Sequence, residues 1–462
     1  MFKKNWLSKF SISLIVCLVM ALSTVNLNPA LASEDTSTQL TNLKILDKGN
    51  WAPATRQALQ RLIQSNGLNS SDYNPNQKPY VVFDWDNTCV YADTEESTLI
   101  YQLENLKYKM TPEQFRIAFT SGNNASIPET DFLAPYLNEE GQPVNITKIA
   151  NDVCNDYQFF WDNYRGLNPN AAHDMTLAEI KETEQLKDFE AKFWFTYSAM
   201  DITFGYDISW TWLLNFFTGY TPAELGNLVS EAVDYAALQD IKNVYFDSNL
   251  PGEAGIIKNS NPELGNYFRQ GLRATQEIKD LMTTLRENGI DVYISTASLD
   301  GVIRGFASNP KYGYNVPADH VIGMRLNLDN HGRYLSTIPD PDTYAINAKH
   351  GKAVNINNLL VQEKGINPIM IIGDSDGDYE MMTDLSGYND VYRINHLPPV
   401  KMVVIINRLK SGTIRELCVS AASQIGCPYP FILLQGRNEN TGTWIPNEKT
   451  IKLGKSEPVL LK

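Results

Sequence analysis

Val81-Val82-Phe83-Asp84-Trp85-Asp86-Asn87-Thr88 is an apolar run that ends abruptly in two carboxylates, an amide and a hydroxyl. β-prone residues following Pro79 and stopping at Asp predict a fully buried parallel strand that enters a loop. Open α/β sheets place their active sites at such strand ends. Residues two apart on a strand face the same way, so Asp84 and Asp86 are expected to address one pocket. Two carboxylates held together need a cation, a shared proton or different tasks.

Three later stretches extend this pattern. Between residues 274 and 288, Ile278, Leu281, Met282 and Leu285 recur at helical spacing, and Gly289 is placed to end the helix. A strand over 290–294 then runs into Ser295-Thr296-Ala297-Ser298, where hydroxyls and bare N–H groups before a helix suit a phosphate. Val321 to Leu328, a turn cluster at 329–332 and Arg333-Tyr334 predict a β-hairpin. Lys352 follows in His350-Gly351-Lys352-Ala353, with Lys349 its nearest competitor. Finally, Ile369-Met370-Ile371-Ile372-Gly373-Asp374-Ser375-Asp376-Gly377-Asp378 is a second buried strand delivering carboxylates. It is no calcium loop, because it follows a strand and lacks the later Glu at the EF-hand offset.

Taken in order, Asp84-Trp85-Asp86-Asn87-Thr88, Thr296, Lys352 and Asp374 resemble the four motifs of the haloacid dehalogenase superfamily, closest to its phosphoserine phosphatase and phosphorylcholine phosphatase branch. The resemblance implies an α/β fold, a Rossmann-like doubly wound parallel sheet with a large helical cap inserted after the first motif strand. It implies that Asp84 attacks phosphorus and forms an aspartyl-phosphate, and that Asp86 protonates the leaving oxygen and then activates water. Mg²⁺ is expected on Asp84, the backbone carbonyl of Asp86, and Asp374. Thr88, Thr296, Ala297 and Lys352 are expected to hold the phosphoryl oxygens. Ser295 and Ser298 stay as alternatives to Thr296 if the register slips by one. Asp378 would orient Lys352 or stand behind the metal ligands. An acid at Asp86 separates the chain from dehalogenases of the superfamily, which lack one there, and from P-type ATPases, which carry a Lys.

The 212 residues from Asp84 to Thr296 leave room for the cap. The expected division is a leader at 1–32, a first core part at 33–95, a cap at 96–272, a second core part at 273–400 and a C-terminal extension at 401–462. Caps of this superfamily close over a small substrate. Phosphorylcholine is the first expectation. Its quaternary ammonium needs aromatic faces with an acid nearby, and Asp93, Trp161, Trp194, Trp210 and Trp212 are the candidates. Each tryptophan has an alternative place in the cap's own core. Phosphoserine or a nucleotide is the second substrate expectation. A secreted ligand-binding protein that kept the fold and lost turnover is the non-enzyme alternative, and the intact Asp84, Asp86, Lys352 and Asp374 argue against it.

Lys3, Lys4 and Lys9, an apolar run and Ala30-Leu31-Ala32 predict a secretory leader cleaved before Ser33, hence a secreted or periplasmic protein with no membrane association after cleavage; an uncleaved anchor is the alternative, against which Asn26, Asn28 and Pro29 argue. The formal charge is −14, and losing three lysines makes it more negative still, which disfavours nucleic acid as a partner. Of Cys89, Cys154, Cys418 and Cys427, the last two are close enough for a local disulfide, with buried thiols as the alternative. No zinc-type cluster of Cys and His is present. Helices are expected at 54–63 and 413–422, and a strand at 403–406. A hairpin is expected over 430–445, with edge cover of the sheet as its role.

Overall fold

The computed structural model describes residues 44–388 and 393–461, so the expected leader lies outside the described residues. Six strands form the main sheet: β1 (Tyr80–Phe83), β2 (Asp291–Leu299), β3 (Val321–Met324), β4 (Met370–Gly373), β5 (Met402–Ile406) and β6 (Ile432–Gln435). Every pairing is parallel, in the order β3-β2-β1-β4-β5-β6. This is the doubly wound Rossmann-type order, and its direction reverses between β1 and β4, where such sheets open a crevice.

Strand periodicity explains why both faces are covered. Val81, Phe83, Val292, Ile294, Ile372 and Val404 point to one face. There they meet α1 (Pro53–Asn66), α8 (Gln276–Glu287) and α9 (Asp300–Ala307). Tyr80, Val82, Tyr293, Ile371, Val403 and Ile405 point to the other. Their cover is α10 (His350–Ile356), α11 (Tyr379–Asp384) and α12 (Ile414–Ser423). Burying both faces leaves no polar alternation, so the strands read as continuous apolar runs.

Between β1 and β2 the chain builds the helical cap. It includes α2 (Thr94–Asn105), α3 (Pro112–Thr120), α4 (Ile146–Asn163), α5 (Glu184–Phe204), α6 (Tyr206–Leu214) and α7 (Pro222–Leu238). Phe115, Tyr157, Phe160, Phe189 and Phe193 centre its own core, with the Phe115 and Tyr157 rings stacked at 4.1 Å. α7 instead joins the main core, where Leu225, Leu228 and Val229 pack with Val302 and Ile303 of α9. Val90–Tyr91 pairs antiparallel with Arg273–Ala274, so the exit and return of the chain lie side by side. No described helix is long and apolar enough to cross a membrane.

Several sequence expectations change. Val321–Met324 is a parallel edge strand of the main sheet, and the expected hairpin survives as a single antiparallel bridge between Leu328 and Tyr334. Ile432–Gln435 likewise joins the main sheet beside β5. The C-terminal hairpin is confined to Arg437–Asn438 with Thr443–Trp444, inside a separate four-stranded sheet. In both cases a neighbouring parallel strand wins over a local turn. The Cys418–Cys427 disulfide is not formed: Cys418 turns inward from α12 into the core, and both thiols are free. Trp51 is buried edge-on against Trp444, a packing role.

The cap core also encloses charge. Lys192 Nζ lies 2.8 Å from Asp152 Oδ2 and 2.9 Å from Asp188 Oδ2, with no solvent exposure. Asp156 is pushed up to about 9, by burial first and by the neighbouring Asp188. A carboxyl raised on folding keeps its proton where the unfolded chain has released it, so its contribution is full below about pH 4 and is lost as pH rises through its folded value. Asp156→Asn removes that titration. Urea unfolding of the variant is expected to show a flatter loss of stability between about pH 5 and pH 9 than the parent; an unchanged slope would refute the assignment.

Candidate active site

Register brings the motif residues together. Phe83 pairs with Ile294 on one side and Ile372 on the other, and Asp84 N–H donates to Ile372 O at 2.8 Å. Asp84 therefore leaves β1 at the level where Ser295 continues β2 and Gly373-Asp374 ends β4. Lys352, on the first turn of α10, reaches back: its Nζ lies 2.7 Å from both Asp84 Oδ1 and Asp378 Oδ1. The other Asp378 oxygen accepts the N–H groups of Asp374 at 2.9 Å and Ser375 at 3.1 Å, which closes the loop after β4 around it.

Asp84, Asp374 and Asp378 each present a carboxylate oxygen within 4.8 Å of the others, and all three are buried. Burial raises the Asp84 carboxyl well above the usual range, and Asp378 adds to this while Lys352 opposes it. Burial would also raise Asp374, but the Arg408 guanidinium on its Oδ2 more than offsets this, and its pKa is lowered. Thr88 Oγ1 donates to the Asp374 Oδ1 at 3.0 Å, so Thr88 orients an acid here. Three buried carboxylates paired with two cations, Lys352 and Arg408, make a compact all-oxygen set that fits a hard divalent ion such as Mg²⁺.

Asp86 is turned to a different task from Asp84. Its Oδ1 accepts Thr94 N–H and its Oδ2 accepts the Ser298 hydroxyl, both at 2.7 Å. Burial, helped by Asp93, pushes it up to about 8. A carboxyl that keeps its proton near neutrality can give it to a leaving oxygen. In the second motif, Thr296 Oγ1 accepts Ser298 N–H at 3.1 Å, and Ala297 lies between them. Ser298, one of the two alternatives, is the hydroxyl that touches Asp86. Asn347 carries no motif signal, yet its Nδ2 donates to Thr296 O at 2.7 Å and to Ser295 Oγ at 3.2 Å.

Asp93 caps α2 through Glu96 N–H at 2.9 Å. Asp93 and Glu96 are both pushed up to about 7, burial being the main cause for each. Tyr197 of α5 faces them: burial first, then Glu96, Asp93 and Glu95, raise its hydroxyl. The candidate tryptophans divide. Trp212 is fully buried, donates Nε1–H to Phe119 O at 2.7 Å and stacks on Tyr197, with ring centroids 6.5 Å apart. Trp194 is buried against the same tyrosine. Trp161 packs at the margin of the cap core. Trp210 alone of the four reaches the motif floor, where a Cβ on Gly377 would lie 3.9 Å from its Cη2.

Two arginines enter from the C-terminal extension, for which edge cover was the expected role. Arg408 follows β5 by two residues and pairs with Asp374. Arg437 follows β6 by two residues and is buried. It donates to Asn87 O at 2.9 Å and Asn87 Oδ1 at 3.1 Å, pairs with Glu439 at 2.9 Å, and lies 4.8 Å from the Tyr91 ring centroid. Asn87 has φ 61°, so Arg437 fixes a left-handed turn immediately after Asp86. The available signal was a base just past the carboxyl end of an apolar strand, where doubly wound sheets gather their sites.

No family model matches the chain. It is 25% identical over 282 residues to the phosphorylcholine phosphatase of Pseudomonas aeruginosa, a match covering 61% of this chain and 56% of that protein. The chain thus spans little more than half the length of that curated relative. A crystal structure of a conserved, functionally unknown protein from Anaerococcus prevotii is similar throughout, with TM-score 0.77, 29% identity, and coverage of 88% of this chain and 98% of that one.

Arg437→Met leaves Glu439 and the Asn87 carbonyl without their buried cation. It is expected to destabilise the protein by about 3 kcal/mol in urea unfolding, and Arg437→Lys to restore only part of this because it loses the planar fork. A loss below about 1 kcal/mol would contradict a buried, fully engaged guanidinium.

Proposed function

As a member of the haloacid dehalogenase superfamily, the chain is, we propose, an exported Mg²⁺-dependent phosphomonoesterase that works through an aspartyl-phosphate on Asp84. The observation that carries this is the contact of Lys352 with Asp84 and Asp378 beside Asp374 at the sheet's switch point. Asp84 Oδ attacks phosphorus, the bond to the leaving oxygen breaks, and Asp86 supplies the proton that oxygen takes. Asp86, now a base, accepts a proton from the water that cleaves the acyl phosphate and releases inorganic phosphate. Lys352 and the Thr296–Ser298 strand end hold phosphoryl oxygens. Asp84 and Asp374, with the Asp86 carbonyl, would hold Mg²⁺, which when bound offsets phosphate charge against the nucleophile.

Phosphorylcholine is the substrate we favour. Likeness to a protein named for that activity supports it, as do the half-buried Asp93 and Glu96 under Tyr197, which suit a cationic leaving group. The second reading, phosphoserine or a nucleotide, is favoured by Arg408 with Lys410 beside it, a pair suited to a second anionic group. Export rests on the leader-like N-terminus.

Phosphate release from phosphorylcholine, phosphoserine, nucleotides, sugar phosphates and an aryl phosphate tests the proposal. Asp84→Asn is expected to reduce turnover by about three orders of magnitude or more. No release from any of these by the parent would sink the enzyme reading in favour of ligand binding. Chelation is expected to abolish turnover and Mg²⁺ to restore it. Titration calorimetry is expected to show Mg²⁺ binding weakened about tenfold or more in Asp374→Asn; unchanged affinity would remove Asp374 from the ligand set.

A further inference from the structure

Lys349 is held in a backbone conformation that only glycine adopts freely, with φ 50° and ψ −127°. Such a conformation persists in another residue only where the surroundings determine it. Three contacts do so. Its N–H donates to Gly377 O at 3.0 Å, in the loop after β4. Its own carbonyl accepts Lys352 N–H at 3.0 Å. Its ammonium lies 4.1 Å from the centroid of the Tyr206 ring, on the first turn of α6. Tyr206 in turn packs on Trp210, the aromatic that reaches Gly377, with ring centroids 5.5 Å apart. One residue thus touches the peptide that seats Lys352, the loop that carries Asp374 and Asp378, and the cap helix lying over both.

We propose that Lys349 is a positioning residue that docks α6 of the cap onto the motif floor and ties that docking to the seat of Lys352. The strained peptide fixes where the lysine stem leaves the floor, and the cation–π contact is the cap's share of the latch. The contact joins two surfaces across the cleft and involves none of the reacting atoms. Its effect on turnover rests on the phosphatase reading above; its effect on α6 does not.

Hydrogen–deuterium exchange over residues 206–214 of the full chain reads the latch directly. Lys349→Met removes the charge and keeps the stem, and is expected to speed exchange there about fivefold. Lys349→Arg, which keeps a cation over the ring, is expected to stay near the parent. Tyr206→Leu should match Lys349→Met, and adding Lys349→Met to it should change little, because the pair acts as a unit. Unchanged exchange in Lys349→Met, or a double variant whose acceleration is the product of the two single ones, would overturn the proposal. Should Lys349→Met fail to fold, as exchange over Met370–Gly373 would reveal, Tyr206→Leu alone decides: unchanged exchange in α6 overturns the latch. In turnover, Lys349→Met is expected to raise KM about fivefold with kcat within about twofold, and Lys349→Arg to rescue it. If α6 loosens while the parent releases phosphate from nothing, the latch stands and the phosphatase reading falls. If the parent turns over and α6 is unmoved, the latch falls alone.

Discussion

Three buried carboxylates held by two cations, Lys352 and Arg408, are the constraint on which the rest of the molecule turns. Asp84, Asp374 and Asp378 would repel one another strongly in a dry site. Lys352 lies against Asp84 and Asp378, and Arg408 against Asp374, so each of the three acids has a cation beside it. The sheet creates this strain by topology, since β1 and β4 are neighbours exactly where the strand order reverses. Burying charge in this way is costly for stability.

Several parts of the chain that lie far apart in sequence are committed to holding that arrangement. The C-terminal extension sends Arg408 to Asp374 and Arg437 to the Asn87 turn, so a segment without a motif fixes both the first and the fourth motif. Asn347 ties the second motif to the approach of α10. The cap contributes Tyr197 above the acids of α2 and Trp210 against the loop after β4. Most of its remaining aromatics fill the cap's own core, and Trp212 of that core stacks on Tyr197. Burial lets Asp86 keep a proton against the opposing hydrogen bonds from Thr94 and Ser298, while at Asp84 the Lys352 ammonium opposes the same effect of burial.

Much of the fold and of the candidate site was legible because buried parallel strands advertise themselves. Val81–Phe83 and Met370–Ile372 are apolar on both faces, and each ends in acids, so strand and site were announced by the same residues. Lys352 was legible by its order relative to those acids. Arg408, Arg437 and Asn347 were not. Each is a single polar residue whose partner lies tens to hundreds of residues away, and local pattern carries no record of such a pairing. The hairpin readings at 321–334 and 430–445 failed for a related reason: a turn-rich sequence shows that the chain can reverse, and not whether a better strand lies alongside.

By itself, then, the sequence determined the parallel sheet, the helices that cover it, the insertion of a cap between the first two motifs and the acids and lysine at the strand ends. These follow from periodicity and from residue type, which are properties of short stretches. Tertiary structure alone decided which aromatics face the site, that the C-terminal arginines belong to it, that Cys418 stays a free thiol, and that Lys349 bridges core and cap. Those outcomes depend on distances across the molecule, set by packing and by the need to pair every buried charge.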